Sequence, residues 1–200
     1  MGIGSIAIRE GNYADIAVRP LAAEQCALLV VDIQEKLLPP MFERDRLLRN
    51  AQLLLRLAAI LHLPVLATTQ YVRGLGPTVP EIAELLPGQE FIDKTTFGCF
   101  GHQPFCSALQ ALPPKRDTLL ICGMETHICV LQTVLSALEK GYVVHVAADA
   151  VSSRTELNWK LGLERMRSAG AVISSAEMMI YELLGASNTP QFKEMLRYLK

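Results

Sequence analysis

Three residue types that could act together in acyl transfer stand at separate points of the chain. The segment ICGMETHICV at 121–130 carries two cysteines, Cys122 and Cys129. A cysteine beside a base can attack a carbonyl carbon as a nucleophile. Asp32 ends the run ALLVVD and is a candidate base, and Lys94, in FIDKTTF, could hold a thiolate and orient the carboxylate. Together these residues predict a nucleophile–base–cation set.

The two cysteines differ in where they are expected to point. Cys122 falls inside the predicted strand TLLICG and should be buried and inert. Cys129 falls in the first turn of a helix for which Thr126 is a suitable N-cap. At about 100° per residue it points away from the helix's apolar stripe, and the helix N-terminus is expected to lower the pKa of its thiol. That stripe consists of Leu131, Val134, Leu135 and Leu138.

Each candidate also has an ordinary structural explanation. Cys129 could be a small apolar residue packed against a neighbouring helix. Asp32 could cap the turn that follows its strand, and Lys94 could be a solvated surface lysine. Position alone does not decide between the catalytic and the ordinary explanation of each residue. All three residues nevertheless follow or end different predicted strands, and the carboxyl ends of parallel strands share one edge of the sheet.

Apolar runs of strand length alternate with segments of helical period. Strands are predicted at 27–32, 64–70, 90–96, 118–123, 142–150 and 171–178. Helices are predicted at about 44–61, 104–112 and 126–141, from a capping box at 153–156 to about Gly170, and near 190–199. The alternation indicates βαβ units. It predicts an α/β fold: a single-domain, three-layer α/β/α arrangement with a mostly parallel, Rossmann-like six-stranded sheet. The Gly- and Pro-rich loop 71–89 is either functional or a surface excursion.

Composition restricts the partners and the compartment. The 200 residues predict one domain, and a hydrophobic fraction of 50% excludes disorder. A formal net charge of −1 argues against nucleic acid or an anionic membrane as a partner. The N-terminal twenty residues lack the apolar core of a signal peptide, and no apolar run could span a bilayer. Five cysteines, an odd number, predict free thiols and a cytoplasmic location. The four histidines are scattered along the chain without the spacing of a metal-binding motif, so no metal site is predicted.

Three segments of the chain are similar to those of a known family, the isochorismatase-like cysteine hydrolases, which include nicotinamidases and carbamoyl-amide hydrolases. They are ALLVVDIQEKL at 27–37, DKTTFGCF at 93–100 and ICGMETHICVLQTVLSALEKGYVVHVAADAVSSR at 121–154. The resemblance runs from about residue 25 to 183. Within a single domain spanning 1–200 it leaves a C-terminal helical tail at 184–200.

The resemblance implies catalytic roles for matching positions. It makes Cys129 the nucleophile, Asp32 the general base and acid, and Lys94 the group that stabilises the charged pair. It also implies a cis peptide bond between Met124 and Glu125. The N–H groups of Glu125 and Cys129 would then form an oxyanion hole. The implied activity is hydrolysis of a small amide-like C–N bond through a thioester.

The same resemblance, and the departures from it, restrict the substrate. Phe97, Thr126 and the loop 71–79 are expected to line the pocket, although Phe97 could equally be ordinary packing. Nicotinamidases carry an Asp-x-His metal motif after the second strand, where this chain reads TTQYVRGLG. No metal or other cofactor is therefore expected, and nicotinamide is disfavoured. Isochorismatases proper lack the nucleophilic cysteine, so isochorismate is disfavoured too.

Two other functions are compatible with the sequence. Cys129 could be a redox-reactive thiol, or the domain could be a scaffold without hydrolase activity. A Rossmann-type cofactor binder is the weakest reading, because no GxGxxG follows the first strand. The expected partners are a small-molecule substrate and other copies of the chain. The segment 181–200 could dock on a neighbouring copy or pack on its own domain.

Overall fold

The computed structural model describes residues 18–199, and this part of the chain forms one parallel sheet in the order β3-β2-β1-β4-β5-β6. The strands are β1 (Cys26–Val31), β2 (Val65–Gln70), β3 (Ile92–Lys94), β4 (Thr118–Met124), β5 (Val143–Ser152) and β6 (Val172–Ser174). Every pairing between neighbouring strands is parallel. The predicted α/β class and six-stranded sheet are therefore confirmed.

Helices cover both faces of the sheet. They are α1 (Arg44–Leu61), α2 (Val72–Leu75), α3 (Pro80–Ala83), α4 (Gln103–Gln110), α5 (Leu131–Glu139), α6 (Glu156–Ser168), α7 (Ala176–Leu184) and α8 (Pro190–Met195). Side chains alternate along β1, so that Leu28 and Val30 face a core shared with α1 and α7. Leu29 and Val31 face the other core, shared with α4, α5 and α6. Burial on both faces explains why β1 is apolar throughout.

The C-terminal segment packs on its own domain. Met195 of α8 is fully buried and shares a cluster with Leu53 and Leu57 of α1 and with Ile180 of α7. Of the two possibilities that the sequence left open for 181–200, the structure therefore shows the intramolecular one for the apolar face of α8.

Several predicted boundaries are wrong for local reasons. The strand predicted at 171–178 ends at Ser174, because Ser175 caps α7 by accepting a hydrogen bond from the N–H of Met178. The capping box predicted at 153–156 does not form. Thr155 caps α6 instead, by accepting from the N–H of Asn158. The loop predicted at 71–89 contains the short helices α2 and α3.

One glycine of β4 has no room for a side chain. Gly123 has a φ of +124°, and a Cβ there would overlap the carbonyl oxygen of Val31 and lie 2.7 Å from its carbonyl carbon.

We expect Gly123→Ala to lower the free energy of unfolding by about 3 kcal/mol or more, measured by urea denaturation. Gly141→Ala is the control, because Gly141 also has a positive φ (+83°) but open space around it. Its expected cost is about 1 kcal/mol; equal losses would contradict the argument.

No helix of the described residues is both long and apolar enough to cross a membrane. The prediction that the N-terminus lacks a signal peptide falls largely on residues 1–17, which lie outside the described part of the chain.

Candidate active site

The candidate residues lie at the carboxyl ends of strands on either side of a change in strand order. Moving outward from the centre of the sheet, β1 is followed by β2 and β3 in one direction and by β4, β5 and β6 in the other. Such a point opens a crevice in parallel α/β sheets. Asp32 follows β1 and adopts a left-handed backbone conformation with a φ of +52°. Aspartate tolerates this conformation better than most residues, which lets the chain turn away from the sheet at that edge.

Asp32 and Lys94 form a buried ion pair. The Lys94 Nζ lies 2.7 Å from Asp32 Oδ2, and both side chains have 0% exposure. Charges so far from water need close partners, because desolvation costs each ion several kcal/mol. The second carboxylate oxygen, Oδ1, accepts a 2.7 Å hydrogen bond from the Thr68 hydroxyl. The prediction that Lys94 is more than a solvated surface lysine therefore agrees with its burial.

The Lys94 ammonium is occupied by acceptors within the protein. Besides Asp32, it donates to Gln70 Oε1 at 2.9 Å and to the carbonyl oxygen of Phe97 at 3.0 Å, with the carbonyl of Thr96 at 3.3 Å. An ammonium has three protons to donate. Lys94 therefore has no unused donor for a ligand, and its interactions fix the position of the Asp32 carboxylate.

Cys129 lies on a π-helical turn, Thr126–Val130, that precedes α5. The predicted direction of Cys129, away from the apolar stripe, rests on 100° per residue. The chain is wound more widely in this turn, so that count from α5 does not give its direction. The residue is only 6% exposed and belongs to the same buried cluster as Leu131 and Val134. Wide turns of this kind are frequent at functional sites.

The Cys129 thiol lies close enough to Asp32 and Lys94 for both charges to act on it. Burial raises the pKa of Cys129, the negative charge of Asp32 raises it further, and the positive charge of Lys94 lowers it. The expectation that the helix N-terminus lowers this pKa is therefore wrong, since desolvation and Asp32 outweigh that effect. A raised pKa favours the protonated thiol at neutral pH, and a protonated thiol is a weak nucleophile unless a base removes its proton.

This protonation state can be measured directly. We expect the ultraviolet absorbance of the thiolate, taken as the difference between the wild-type protein and Cys129→Ala, to stay at baseline up to about pH 9. A raised pKa keeps the proton on sulfur below the ordinary value of 9.0 and releases it only above that value. A difference signal that develops near neutral pH would show instead that the helix terminus dominates.

The other cysteines near the site are buried thiols. Cys122 lies fully buried in β4, as predicted, and burial raises its pKa to about 12. Cys99 is also fully buried, and burial raises its pKa to about 11. All five cysteines fall within the described residues, and each is a free thiol.

The turn that precedes Cys129 contains the other predicted site residues. The peptide bond between Met124 and Glu125 is cis. The Glu125 carboxylate is nearly buried and accepts from Arg154, through the backbone N–H at 3.1 Å and the side-chain Nε at 3.0 Å. The prediction that Thr126 is the N-cap is wrong, because Glu125 holds that position without a side-chain cap bond. Among the described residues, no partner binds the buried Thr126 hydroxyl.

Phe97 lies beside the ion pair but on the surface. Its carbonyl oxygen accepts from Lys94, while its side chain is 55% exposed. Core packing, which the sequence left open for Phe97, is therefore excluded. An exposed aromatic ring next to a buried polar site is available for contact with a ligand.

Three supporting residues were missed in the sequence. Thr68 and Gln70 of β2 contact Asp32 and Lys94, respectively. The Thr133 hydroxyl accepts from the N–H of Cys99 at 3.0 Å and donates to the carbonyl of Cys129 at 2.7 Å, so it ties the loop after β3 to the cysteine turn. For Thr68 and Gln70 the available signal was the polar end of the otherwise apolar strand VLATTQ, since buried polar side chains need partners.

Comparison with known sequences gives the family. The Isochorismatase domain matches residues 26–178. The chain is 38% identical to the secreted isochorismatase effector Isc1 of Phytophthora sojae over 183 residues, which is 90% of this chain and 87% of that protein. It is also 38% identical to isochorismatase domain-containing protein 2 of Macaca fascicularis over 173 residues, which is 86% of this chain and 82% of the relative.

Comparison with solved structures agrees. MAR1 ribonuclease from Caenorhabditis elegans superposes with a TM-score of 0.84 at 35% identity, covering 90% of this chain and 92% of that one. YcaC from Pseudomonas aeruginosa, solved with hexane-2,5-diol and covalent acrylamide, gives 0.84 at 29% identity with the same coverage. YcaC from Escherichia coli, an octameric hydrolase of unknown specificity, gives 0.81 at 29% identity, covering 90% and 93%. The chain therefore belongs to the isochorismatase-like family.

Proposed function

We propose that this protein hydrolyses a small amide-like C–N bond through a thioester on Cys129. The observation that carries the proposal is the buried Asp32–Lys94 ion pair, which lies close enough to the Cys129 thiol for both charges to act on its pKa. A thiol with a raised pKa is a poor nucleophile unless a base removes its proton as it attacks. Asp32 is the proposed base.

In the first half of the reaction, the Cys129 sulfur attacks the carbonyl carbon and its proton passes to Asp32. The C–N bond then breaks, and Asp32 gives the proton to the departing amine, which leaves a thioester. Lys94 holds the carboxylate in place, because all its donors are bound within the protein. The backbone N–H groups of Glu125 and Cys129 are the proposed donors to the oxyanion, and one such donor is typically worth about 10²–10³ in rate.

In the second half, water attacks the thioester. Asp32 accepts a proton from the water, the C–S bond breaks and the thiol regains its proton. The products are a carboxylic acid and an amine, or carbamic acid and an amine when the substrate is a urea. The sequence of steps consumes one water and needs no metal or redox cofactor.

Intact-mass spectrometry during incubation with small amides, ureas and carbamates tests this proposal. The expected result is a mass increase equal to the acyl group on a peptide that contains Cys129, which then decays as free acid accumulates. A compound that is hydrolysed without any such adduct, and at an unchanged rate by Cys129→Ala, would overturn the proposal.

A small substrate fits the site better than a nucleic acid does. Cys129 is 6% exposed, and the formal net charge of the chain is −1, whereas binding to a phosphate backbone usually depends on a basic surface. The similar structure from C. elegans is named a ribonuclease. We nevertheless propose small-molecule hydrolysis here, with Phe97 and the unpartnered Thr126 hydroxyl as groups that contact the substrate.

The alternative function of Cys129 as a redox-reactive thiol is disfavoured by its burial. Thiols that react readily with peroxide are exposed and have a lowered pKa. Cys129 is buried and its pKa is raised.

Self-association and location complete the proposal. The similar YcaC of E. coli is octameric, and this chain exposes apolar side chains such as Leu157 and Leu161 on α6. We propose a homo-oligomer, which sedimentation equilibrium would show as a mass above one chain.

Free cysteines fit a cytoplasmic location, although the P. sojae relative is a secreted protein. Localisation of the tagged full chain tests the proposed location.

A further inference from the structure

Strand β2 separates the two charged residues of the site. Asp32 follows β1 and Lys94 ends β3, and β2 lies between these strands in the sheet. Neighbouring strands are about 4.8 Å apart, so the two backbones stand roughly 10 Å from each other. The ion pair therefore forms across the end of β2, and the side chains at that end decide what the pair contacts.

Two residues of β2 present side chains to the pair. Residues two apart in a strand point to the same face, and Thr68 and Gln70 are so placed. The Thr68 hydroxyl donates to Asp32 Oδ1 at 2.7 Å, and Gln70 Oε1 accepts from Lys94 Nζ at 2.9 Å. Thr69, between them, points the other way, and its hydroxyl donates to Asp93 at 3.1 Å. Each charged group thus has its own neutral partner on β2.

Both partners are themselves held in place. Thr68 is 1% exposed and its carbonyl oxygen accepts from the N–H of Asp32 at 3.1 Å. The Gln70 side chain donates to the carbonyl of Thr95 at 2.9 Å, so its amide is anchored at both ends. Gln34 binds the Gln70 backbone, accepting from its N–H at 2.7 Å and donating to its carbonyl at 3.1 Å. Because these contacts are buried or partly buried, the two side chains have little freedom to rotate.

We propose that Thr68 and Gln70 are positioning residues for the reaction, and this inference rests on the proposed function. Thr68 binds Oδ1 of Asp32 while Lys94 binds Oδ2, and together they fix the plane in which the carboxylate can accept the thiol proton. Gln70 keeps the Lys94 ammonium on the opposite side of that carboxylate. Without the Thr68 hydroxyl, the carboxylate can turn about its terminal bond, and proton transfer from sulfur becomes slower.

The test compares Thr68→Val with Thr68→Ser and Thr69→Val in the full-length protein. The probe is acrylamide, whose double bond takes the Cys129 sulfur on one carbon and a proton on the other, so that no oxidant is needed. Intact mass at about pH 7 gives the rate of addition, and peptide mapping assigns it to Cys129. We expect Thr68→Val to slow addition about tenfold, Thr68→Ser to restore it to within about threefold, and Thr69→Val to leave it near the wild-type rate.

Gln70→Met and Asp32→Asn complete the series. Asp32→Asn gives the largest decrease in the rate of acrylamide addition that removal of the base can cause. We expect the addition rates of Thr68→Val and Gln70→Met to lie between those of Asp32→Asn and the wild-type protein. On an amide substrate, the same two variants should lower kcat and leave KM within about twofold, because neither side chain is expected to touch the substrate. Urea denaturation of each variant verifies that it is folded.

Equal rates for Thr68→Val and Thr69→Val would overturn the inference, since a loss of stability alone would affect both variants. So would the absence of any Cys129 adduct in the wild-type protein. Failure of the proposed function has a separate sign, which is hydrolysis by Cys129→Ala at the wild-type rate.

Discussion

Replacement of Cys129 by alanine is expected to lower kcat by at least about 10⁴-fold on any amide that acylates the wild-type protein. The variant keeps Asp32, Lys94 and the backbone donors, but it has no atom that can form the thioester. What activity is left would come from binding and from polarisation of the carbonyl by the backbone. The measurement is steady-state release of amine, with the background rate in buffer subtracted.

Cys122→Ala is the matched control, because both substitutions remove one buried sulfur from the same strand–turn–helix unit. Cys122 is fully buried in β4 and belongs to the cluster on the opposite face of the sheet from Cys129. Its replacement should cost about 1 kcal/mol or more of stability through the cavity that it leaves. It should leave kcat within about threefold. Equal loss of activity in the two variants would mean that structural damage, and not loss of the nucleophile, explains the first result.

Most of the fold could be predicted from the sequence. The run ALLVVD is apolar on both faces, which is typical of a central parallel strand, and the alternation of strands and helices specifies the layers. The errors lie where a local side chain decides the boundary. Ser175 ends the last strand by capping a helix, and Thr155 caps α6 in place of Ser153. Both positions carry more than one suitable capping residue nearby, and the sequence alone does not say which hydroxyl reaches an N–H.

The site was predicted less completely. The family resemblance selected Asp32, Lys94 and Cys129, but it could not give the direction of the thiol, since the π-helical turn at 126–130 breaks the period on which that direction was calculated. Nor could it give the sign of the pKa shift, which depends on how deeply Cys129 is buried against Asp32. The partners Thr68 and Gln70 follow from sheet order, because only that order places β2 between β1 and β3.

The buried ion pair leads to the second large effect, which concerns stability and activity together. An Asp32 carboxylate that loses Lys94 would be a buried charge with a single hydroxyl donor, and such unpaired charges typically cost about 3–5 kcal/mol. We therefore expect Lys94→Met to lower the free energy of unfolding by about that amount and to abolish turnover. Urea denaturation and steady-state kinetics on the same preparation measure both quantities.

Lys160→Met provides the comparison for an exposed pair. Lys160 lies 2.7 Å from Glu156 on α6, with side chains 62% and 52% exposed. Pairs of this kind contribute about 0.3–0.5 kcal/mol, because water screens the charges. A loss for Lys94→Met as small as the loss for Lys160→Met would contradict the view that burial makes the Asp32–Lys94 pair important.

The double variant Asp32→Asn with Lys94→Met separates the structural role of the pair from its chemical role. With both charges removed, no ion remains to be desolvated, and neutral replacements of buried ion pairs are often tolerated. The side-chain carbonyl of the introduced asparagine can still accept from Thr68, so we expect the double variant to regain at least half of the stability that Lys94→Met loses. It should nevertheless stay inactive, because an amide cannot take the proton of the Cys129 thiol. Turnover that returned along with stability would show that Asp32 acts only as a structural partner of Lys94, and the base would then have to be sought elsewhere.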